Sequence, residues 1–185
     1  MNRSSNSDVP EVEAYVGLGS NLDEPVAQVR RGIEALAALP RTRVDRCSSL
    51  YRTAPIGYTA QADFINAVCR IRTRLAPAEL MERLLEIERR HGRVRTGPVN
   101  GPRTLDLDLL LYGDWASDAP SLTVPHPRLH TRAFVLVPLH EIAPALVVPG
   151  RGRVADLLAG CADQRIARLD EPQSVRGQAA HTERR

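Results

Sequence analysis

The stretch Gly101-Pro102-Arg103-Thr104-Leu105-Asp106-Leu107-Asp108, continuing as Leu109-Leu110-Leu111-Tyr112, decides the reading of this chain. It sets two carboxylates two residues apart inside an apolar run. As a β-strand, its period of two puts Asp106 and Asp108 on one face and Leu105, Leu107 and Leu109 on the other, the core face. The two like charges then lie roughly 6–7 Å apart at Cα. Such a pair is costly unless cations neutralise it. Hard oxygen donors with few further protein ligands suit Mg²⁺ held jointly with phosphate oxygens. Taken alone, Asp-Leu-Asp is equally the solvated acidic face of a strand.

The surrounding arginines weigh against that plain alternative. All 25 basic residues are Arg and none is Lys. This removes lysine-based phosphate loops and Schiff-base chemistry, and leaves any phosphate chemistry to guanidinium groups and metal. Arg93-Val94-Arg95 follows Gly92, and Arg103 precedes the two aspartates by three and five residues. Fork-shaped cations that keep their charge recognise phosphate oxygens bidentately. The competing account is that these arginines only form surface salt bridges with Asp106 and Asp108.

Outward from this strand, 185 residues with 43% apolar content provide one good core and are too few for two ordinary domains. A single domain over 13–170 is expected, with 1–12 and 171–185 as polar, unstructured tails. Net charge of +3 suits an anionic small molecule as well as nucleic acid. No run reaches the length of a membrane span, the N-terminus lacks the apolar segment of a secretory signal, and a cytoplasmic location is expected. Cys47, Cys69 and Cys161 are odd in number, widely spaced and without a Cys-x-x-Cys, so buried free thiols are expected.

The rest of the pattern alternates between strand and helix. Ala14 to Leu18 reads as a strand running into a turn-rich Gly17-Leu18-Gly19-Ser20-Asn21. Pro25 opens a helix carrying Val26, Val29, Ile33 and Leu36, which Pro40 stops. Residues 44–53 read as a second strand. Residues 63–73 alternate as a third, with Ile65, Ala67, Cys69 and Ile71 opposite Phe64, Asn66, Val68 and Arg70. Pro77 begins a helix with Leu80, Leu84, Ile87 and His91 along one stripe and Gly92 at its end. Residues 104–112 are the fourth strand. The order β-α-β-β-α-β implies an α+β, ferredoxin-like core: an antiparallel sheet with its helices on one face, followed by short helices and loops.

Gly17-Leu18-Gly19-Ser20-Asn21-Leu22, Tyr51-Arg52-Thr53, Phe64-Ile65-Asn66-Ala67, Gly92-Arg93-Val94-Arg95, the octapeptide 101–108 and Val124-Pro125-His126 together resemble the 6-hydroxymethyl-7,8-dihydropterin pyrophosphokinase family over about residues 13–160. The resemblance implies transfer of pyrophosphate from ATP to the hydroxymethyl group of the dihydropterin, releasing AMP, in folate biosynthesis. It implies two Mg²⁺ ions on Asp106 and Asp108, and Arg93 and Arg103 over the transferred group as catalytic cations. Each such donor in a dry site contributes on the order of 3–4 kcal/mol. ATP would be met by Glu88, Arg95, Arg103, Leu109, Thr123, His126 and Arg132. The pterin would be met by Thr53, Ala54, Ile56, Phe64, Asn66 and Phe134. Phe64 and Phe134 are the only two Phe of the chain, and aromatic faces with an amide suit a flat heterocycle; ordinary core packing is the competing account for both. The implied partners are small molecules only, with no nucleic acid and no membrane, acting on a monomer.

The chain departs from the family pattern where many relatives carry a basic residue and Trp in a mobile loop closing over the substrates, since it has Val99 and Asn100 there. Ala54 stands where Pro is usual and Pro127 where Tyr is common. The lone Trp115 follows the fourth strand and is no obvious substitute. Two rival classes stay open. A ferredoxin-like nucleotide or nucleic-acid binding module would stack bases on sheet aromatics, where this sheet offers aspartates. A metal-dependent phosphohydrolase would require more clustered His and Asp than this pair.

Overall fold

The computed structural model describes residues 10–93 and 100–170. Arg95, Val99 and the tail residues 1–9 and 171–185 lie outside the described residues. The first strand, β1 (Val12–Ser20), leads to helix α1 (Pro25–Ala37). Two short strands, β2 (Thr42–Cys47) and β3 (Tyr51–Thr53), precede the long β4 (Phe64–Thr73). Helix α2 (Pro77–Arg90) and strand β5 (Asp106–Tyr112) complete the core. All pairings are antiparallel, in the order β3-β4-β1-β5, with β2 on the far half of β4. This is the ferredoxin-like arrangement read from the sequence.

Proline at the first turn starts both core helices, where its missing N–H costs nothing and its fixed φ favours the helix. Their apolar faces, with Val29 and Leu36 on α1 and Leu80, Leu84 and Ile87 on α2, pack onto Leu105 just before β5, Leu107 and Leu109 of β5, and Ile65, Ala67 and Ile71 of β4. The alternation of the octapeptide is therefore borne out: its leucines are core and its aspartates face away. Val16 opposes Leu109 and Tyr15 opposes Leu111, so Leu110 is the extra residue of a bulge. Leu110 and Leu111 consequently both enter a second core on the other face.

Four expectations are corrected. The glycine segment after Leu18 is strand through Ser20, not turn. Residues 44–53 are two strands, because Ser48 and Ser49 step out of the ladder. Ser48 keeps contact by taking Val68 O with its N–H at 2.9 Å and accepting the Val68 N–H on its hydroxyl at 3.0 Å. Cys47 and Cys69 face each other across β2 and β4 and form a disulfide; the pairing of the strands, not the 22-residue spacing, brings them together, and only Cys161 is a buried free thiol among the described residues. Finally, the last third does more than add short helices and loops.

That last third forms a hairpin of β6 (Ser117–Ala119) and β7 (Leu122–Val124), then helix α3 (Ala133–Ile142), a small ladder of β8 (Val147–Val148) and β9 (Gly152–Arg153), the short α4 (Val154–Leu157), and β10 (Ile166–Arg168). Strand β10 pairs with β3 and lengthens the sheet. Helix α3 packs Val135, Leu136, Leu139 and Ile142 with Val68 and Tyr15 on the face opposite α1 and α2. No helix among the described residues is long and apolar enough to cross a membrane.

Candidate functional site

Helix α3 covers only part of its face of the sheet. The rest is a cleft of about 760 Å³ between the ends of β1, β4 and β5, the loop after β3, and the approach to α3. Thr53, Ala54, Ile56, Phe64, Asn66, Arg93, Arg103, Asp106, Asp108, His126, Arg132 and Phe134 all line it. Twelve expected residues from five parts of the chain thus meet in one place. Glu88, Leu109 and Thr123 do not line it.

Asp106 carries most of the ion pairing. Arg103 Nη1 donates to Asp106 Oδ2 at 2.7 Å, Arg93 pairs with Oδ1, and Arg93 also approaches Glu88 at 3.4 Å. Glu88 is buried on the inner side of α2, where its Oε1 accepts the Leu107 N–H at 2.9 Å. Burial first, and then the Asp106 carboxylate, push the Glu88 carboxyl up to about 7. Burial and Asp106 likewise push Asp108 up to about 6, against the pull of Arg132, Arg103 and Arg93. Two carboxylates that repel each other in a dry wall are a donor set for a hard cation. Among the described residues no three His, Cys, Asp or Glu side chains converge, so such a cation would complete its shell with water and ligand oxygens.

His126 sits after the cis Val124–Pro125 bond. Burial, with Arg132 and Arg128 nearby, holds the imidazole down at about 4, so it is neutral at pH 7. Its Nδ1 accepts the Arg128 N–H at 3.2 Å, which leaves the proton on Nε2. His126 is therefore a neutral donor into the cleft.

Beside these charges, Phe64 is stacked by the Arg103 guanidinium, 4.9 Å from the ring centre, and Phe134 by Arg132 at 5.3 Å. Each cation is thus parked on an aromatic wall. Asn66 is buried, and its Nδ2 donates to Thr53 Oγ1 at 2.7 Å. Gly19, on the neighbouring strand, makes that position possible. A Cβ there would come within 2.8 Å of Asn66 Oδ1.

Sequence reasoning missed Gly19, Arg128, Thr131 and Gln164, all of which touch or back the cleft. Gln164 accepts the Ala133 N–H at 2.8 Å and donates to Thr131 O at 2.8 Å, so it anchors the start of α3 beside Phe134. The signal for Gly19 was present: glycines two apart inside a strand share one face and mark close approach of another group.

The family model of 7,8-dihydro-6-hydroxymethylpterin-pyrophosphokinase (HPPK) matches residues 15–144. The chain belongs to the HPPK family. It is 42% identical over 159 residues to the 2-amino-4-hydroxy-6-hydroxymethyldihydropteridine pyrophosphokinase of Haemophilus influenzae, covering 86% of this chain and 99% of that protein. It is 46% identical over 155 residues to the protein of the same name from Pseudomonas aeruginosa, covering 84% and 95%. The solved wild-type Plasmodium falciparum HPPK-DHPS with pterin and p-hydroxybenzoate superposes with a TM-score of 0.62 at 12% identity, over 83% of this chain and 44% of that one. The chain spans less than half of that solved protein, and the likeness shows a shared HPPK fold. Within this HPPK chain, the lone Trp115 packs edge-to-face on Tyr112, outside the cleft lining.

Proposed function

We propose that the cleft binds ATP and 6-hydroxymethyl-7,8-dihydropterin together and transfers pyrophosphate between them. The pterin hydroxymethyl oxygen attacks the β-phosphorus, the bond from that phosphorus to the α–β bridging oxygen breaks, and AMP leaves with the oxygen. This is the pyrophosphoryl transfer of folate biosynthesis carried by the family. The observation that carries the reading is that one cleft is lined by the carboxylates Asp106 and Asp108, the arginines Arg93, Arg103 and Arg132 and the neutral His126 together with Phe64, Asn66 and Phe134, with Arg103 and Arg132 stacked on the two rings.

The residues divide the work accordingly. Phe64 and Phe134 offer flat apolar surface to the ring, and the Asn66 amide, fixed by Thr53, reads its polar edge. Asp106 and Asp108 would hold two Mg²⁺ ions, which supply charge neutralisation for the triphosphate and orientation for the attacking hydroxyl. Arg93 and Arg103 are held on Asp106 before the substrates arrive. Once a polyphosphate is seated they exchange that partner for phosphate oxygens and cover the charge shared between entering and leaving groups. His126 donates Nε2–H to a nucleotide oxygen without changing its own charge. Arg132, between Asp108 and Phe134, serves the nucleotide side, and Arg95 is assigned there by resemblance. We further propose that the chain acts as a monomer, on small molecules alone.

The test is nucleotide product identity, by chromatography, after incubation with ATP, Mg²⁺ and the dihydropterin. Pterin-dependent AMP that vanishes in Asp106→Ala, Asp108→Ala supports the reading; ADP, or inorganic phosphate without pterin, overturns it.

A further inference from the structure

One group of polar side chains beside the cleft has no part in the scheme above. Gln61 lies in the loop between β3 and β4, the loop that brings Ala54 and Ile56 to the cleft. Its side-chain amide is fully used. Oε1 accepts from Asn21 Nδ2 at 2.9 Å, and Nε2 donates to Tyr58 O at 2.6 Å and to Asn100 O at 2.8 Å. Asn21, at the end of β1, is equally committed. Its second Nδ2 proton goes to Ala62 O at 3.1 Å, and its Oδ1 accepts the Arg103 N–H at 2.9 Å. Its own N–H donates to Arg103 O at 3.1 Å. Two amides therefore tie three separate segments: the end of β1, the loop before β4, and the turn that carries Arg103.

Asn100 is shaped for this contact. Its φ is 61°, a left-handed conformation that Asn tolerates and a large aromatic residue resists. Its side-chain amide comes within 3.1 Å of where a Cβ on Gly57 would lie. The loop that carries Ala54 and Ile56 thus meets the turn before Arg103 through the Asn100 carbonyl and the close approach of the Asn100 amide to Gly57. Downstream, Arg103 reaches Asp106 at 2.7 Å and stacks on Phe64, so its guanidinium is aimed from a backbone that Asn21 holds at two points.

We propose that Gln61 is a positioning residue for the transfer: through Asn21 and Asn100 it locks the pterin-side loop to the Arg103 turn, so that Arg103 is aimed when the ring is seated. The proposal rests on the pyrophosphoryl-transfer reading. Gln61 touches neither reacting group; it acts on Arg103 through two shared neighbours.

The experiment measures AMP formation by Gln61→Ala, Gln61→Glu, Arg103→Ala and the Gln61→Ala, Arg103→Ala double variant, with thermal melting as the check on folding. Gln61→Glu keeps the acceptor for Asn21 and sets a carboxylate against the carbonyls of Tyr58 and Asn100; it decides the matter if Gln61→Ala does not fold. The single Gln61 variants are expected to lose on the order of ten- to a hundredfold in kcat. In the Arg103→Ala background the further loss shrinks to about twofold or less, because the aimed group is already gone. Equal fold-losses in both backgrounds, or a lowered melting temperature with unchanged kcat, overturn the proposal. Amide hydrogen exchange provides a readout independent of turnover: Gln61→Ala should accelerate exchange at the Arg103 N–H. If the wild-type chain makes no AMP, the functional reading fails, while unchanged exchange at Arg103 would overturn the clamp itself.

Discussion

Glu88 Oε1 accepts the backbone N–H of Leu107 at 2.9 Å, so a buried carboxylate of α2 is fastened to the one residue lying between the two cleft aspartates. Glu88 also approaches Arg93 at 3.4 Å, and its position explains how helix and strand share a register. Glu88→Ala leaves the Leu107 N–H buried without an acceptor and should cost about 1–3 kcal/mol of stability. Glu88→Gln keeps the acceptor and should remain near wild type. Urea unfolding of the two variants side by side checks the difference.

Asp106→Asn and Asp108→Asn should each lower AMP formation by at least about a hundredfold. Without metal, Asp108→Asn should be as stable as the parent or more so, since it removes a carboxylate that burial and Asp106 disfavour. Melting in chelator, paired with the activity assay, separates the two effects. Loss of stability in chelator would mean that Asp108 is a structural partner of the arginines.

Gly19→Ala puts a methyl group 2.8 Å from Asn66 Oδ1, and the buried amide has to turn away from Thr53. Pterin affinity should fall by on the order of tenfold or more, with ATP-analogue binding unchanged. Titration calorimetry with each ligand separately reads this.

Arg103→Lys keeps one positive charge and loses the planar fork that reaches Asp106 while stacking on Phe64. A fall in kcat of roughly a hundredfold is expected, with little change in melting temperature. Activity near wild type would show that Arg103 acts only as a point charge.

Glu141 offers a pH-dependent test far from the chemistry. It accepts from Ser49 N–H at 3.0 Å, Ser49 Oγ at 2.8 Å and Tyr51 Oη at 2.8 Å. Burial alone would raise its carboxyl, but these donors outweigh burial and hold it below its ordinary 4.5. A carboxyl lowered on folding stabilises the native state above its unfolded value, and that stabilisation drains away as pH falls through the folded value. Glu141→Gln should therefore cost stability at pH 7 and progressively less below about pH 4.5. Unfolding free energies across pH 3–7 for both proteins give the comparison.

The parts of this architecture that follow from local periodicity were legible in the chain. Leu105, Leu107 and Leu109 had to share a face, Asp106 and Asp108 had to share the other, and Pro25 and Pro77 had to begin helices. Residues defined by pairing across distance were not legible. Gln61 meets Asn21 forty positions away and Asn100 thirty-nine positions away; neither spacing has a period. Cys47 and Cys69 meet only because β2 registers against β4. Gly17 and Gly19 were read as turn residues because glycine usually breaks strands, whereas both lie in β1 and the missing Cβ of Gly19 admits the Asn66 amide. Glu88 and Leu109 were expected at the nucleotide; in the structure they stand behind the residues that line the cleft, Glu88 on the Leu107 N–H and Leu109 in the core.

Gln164 hydrogen-bonds the first turn of the helix that presents Phe134, and β10 closes on β3 beside Thr53. The strands that bear Asn66 and the aspartates are made long before those two pieces exist. The contacts that fix the Phe134 wall therefore come from residues 164–168, which follow in the chain every strand that bears a cleft carboxylate or amide.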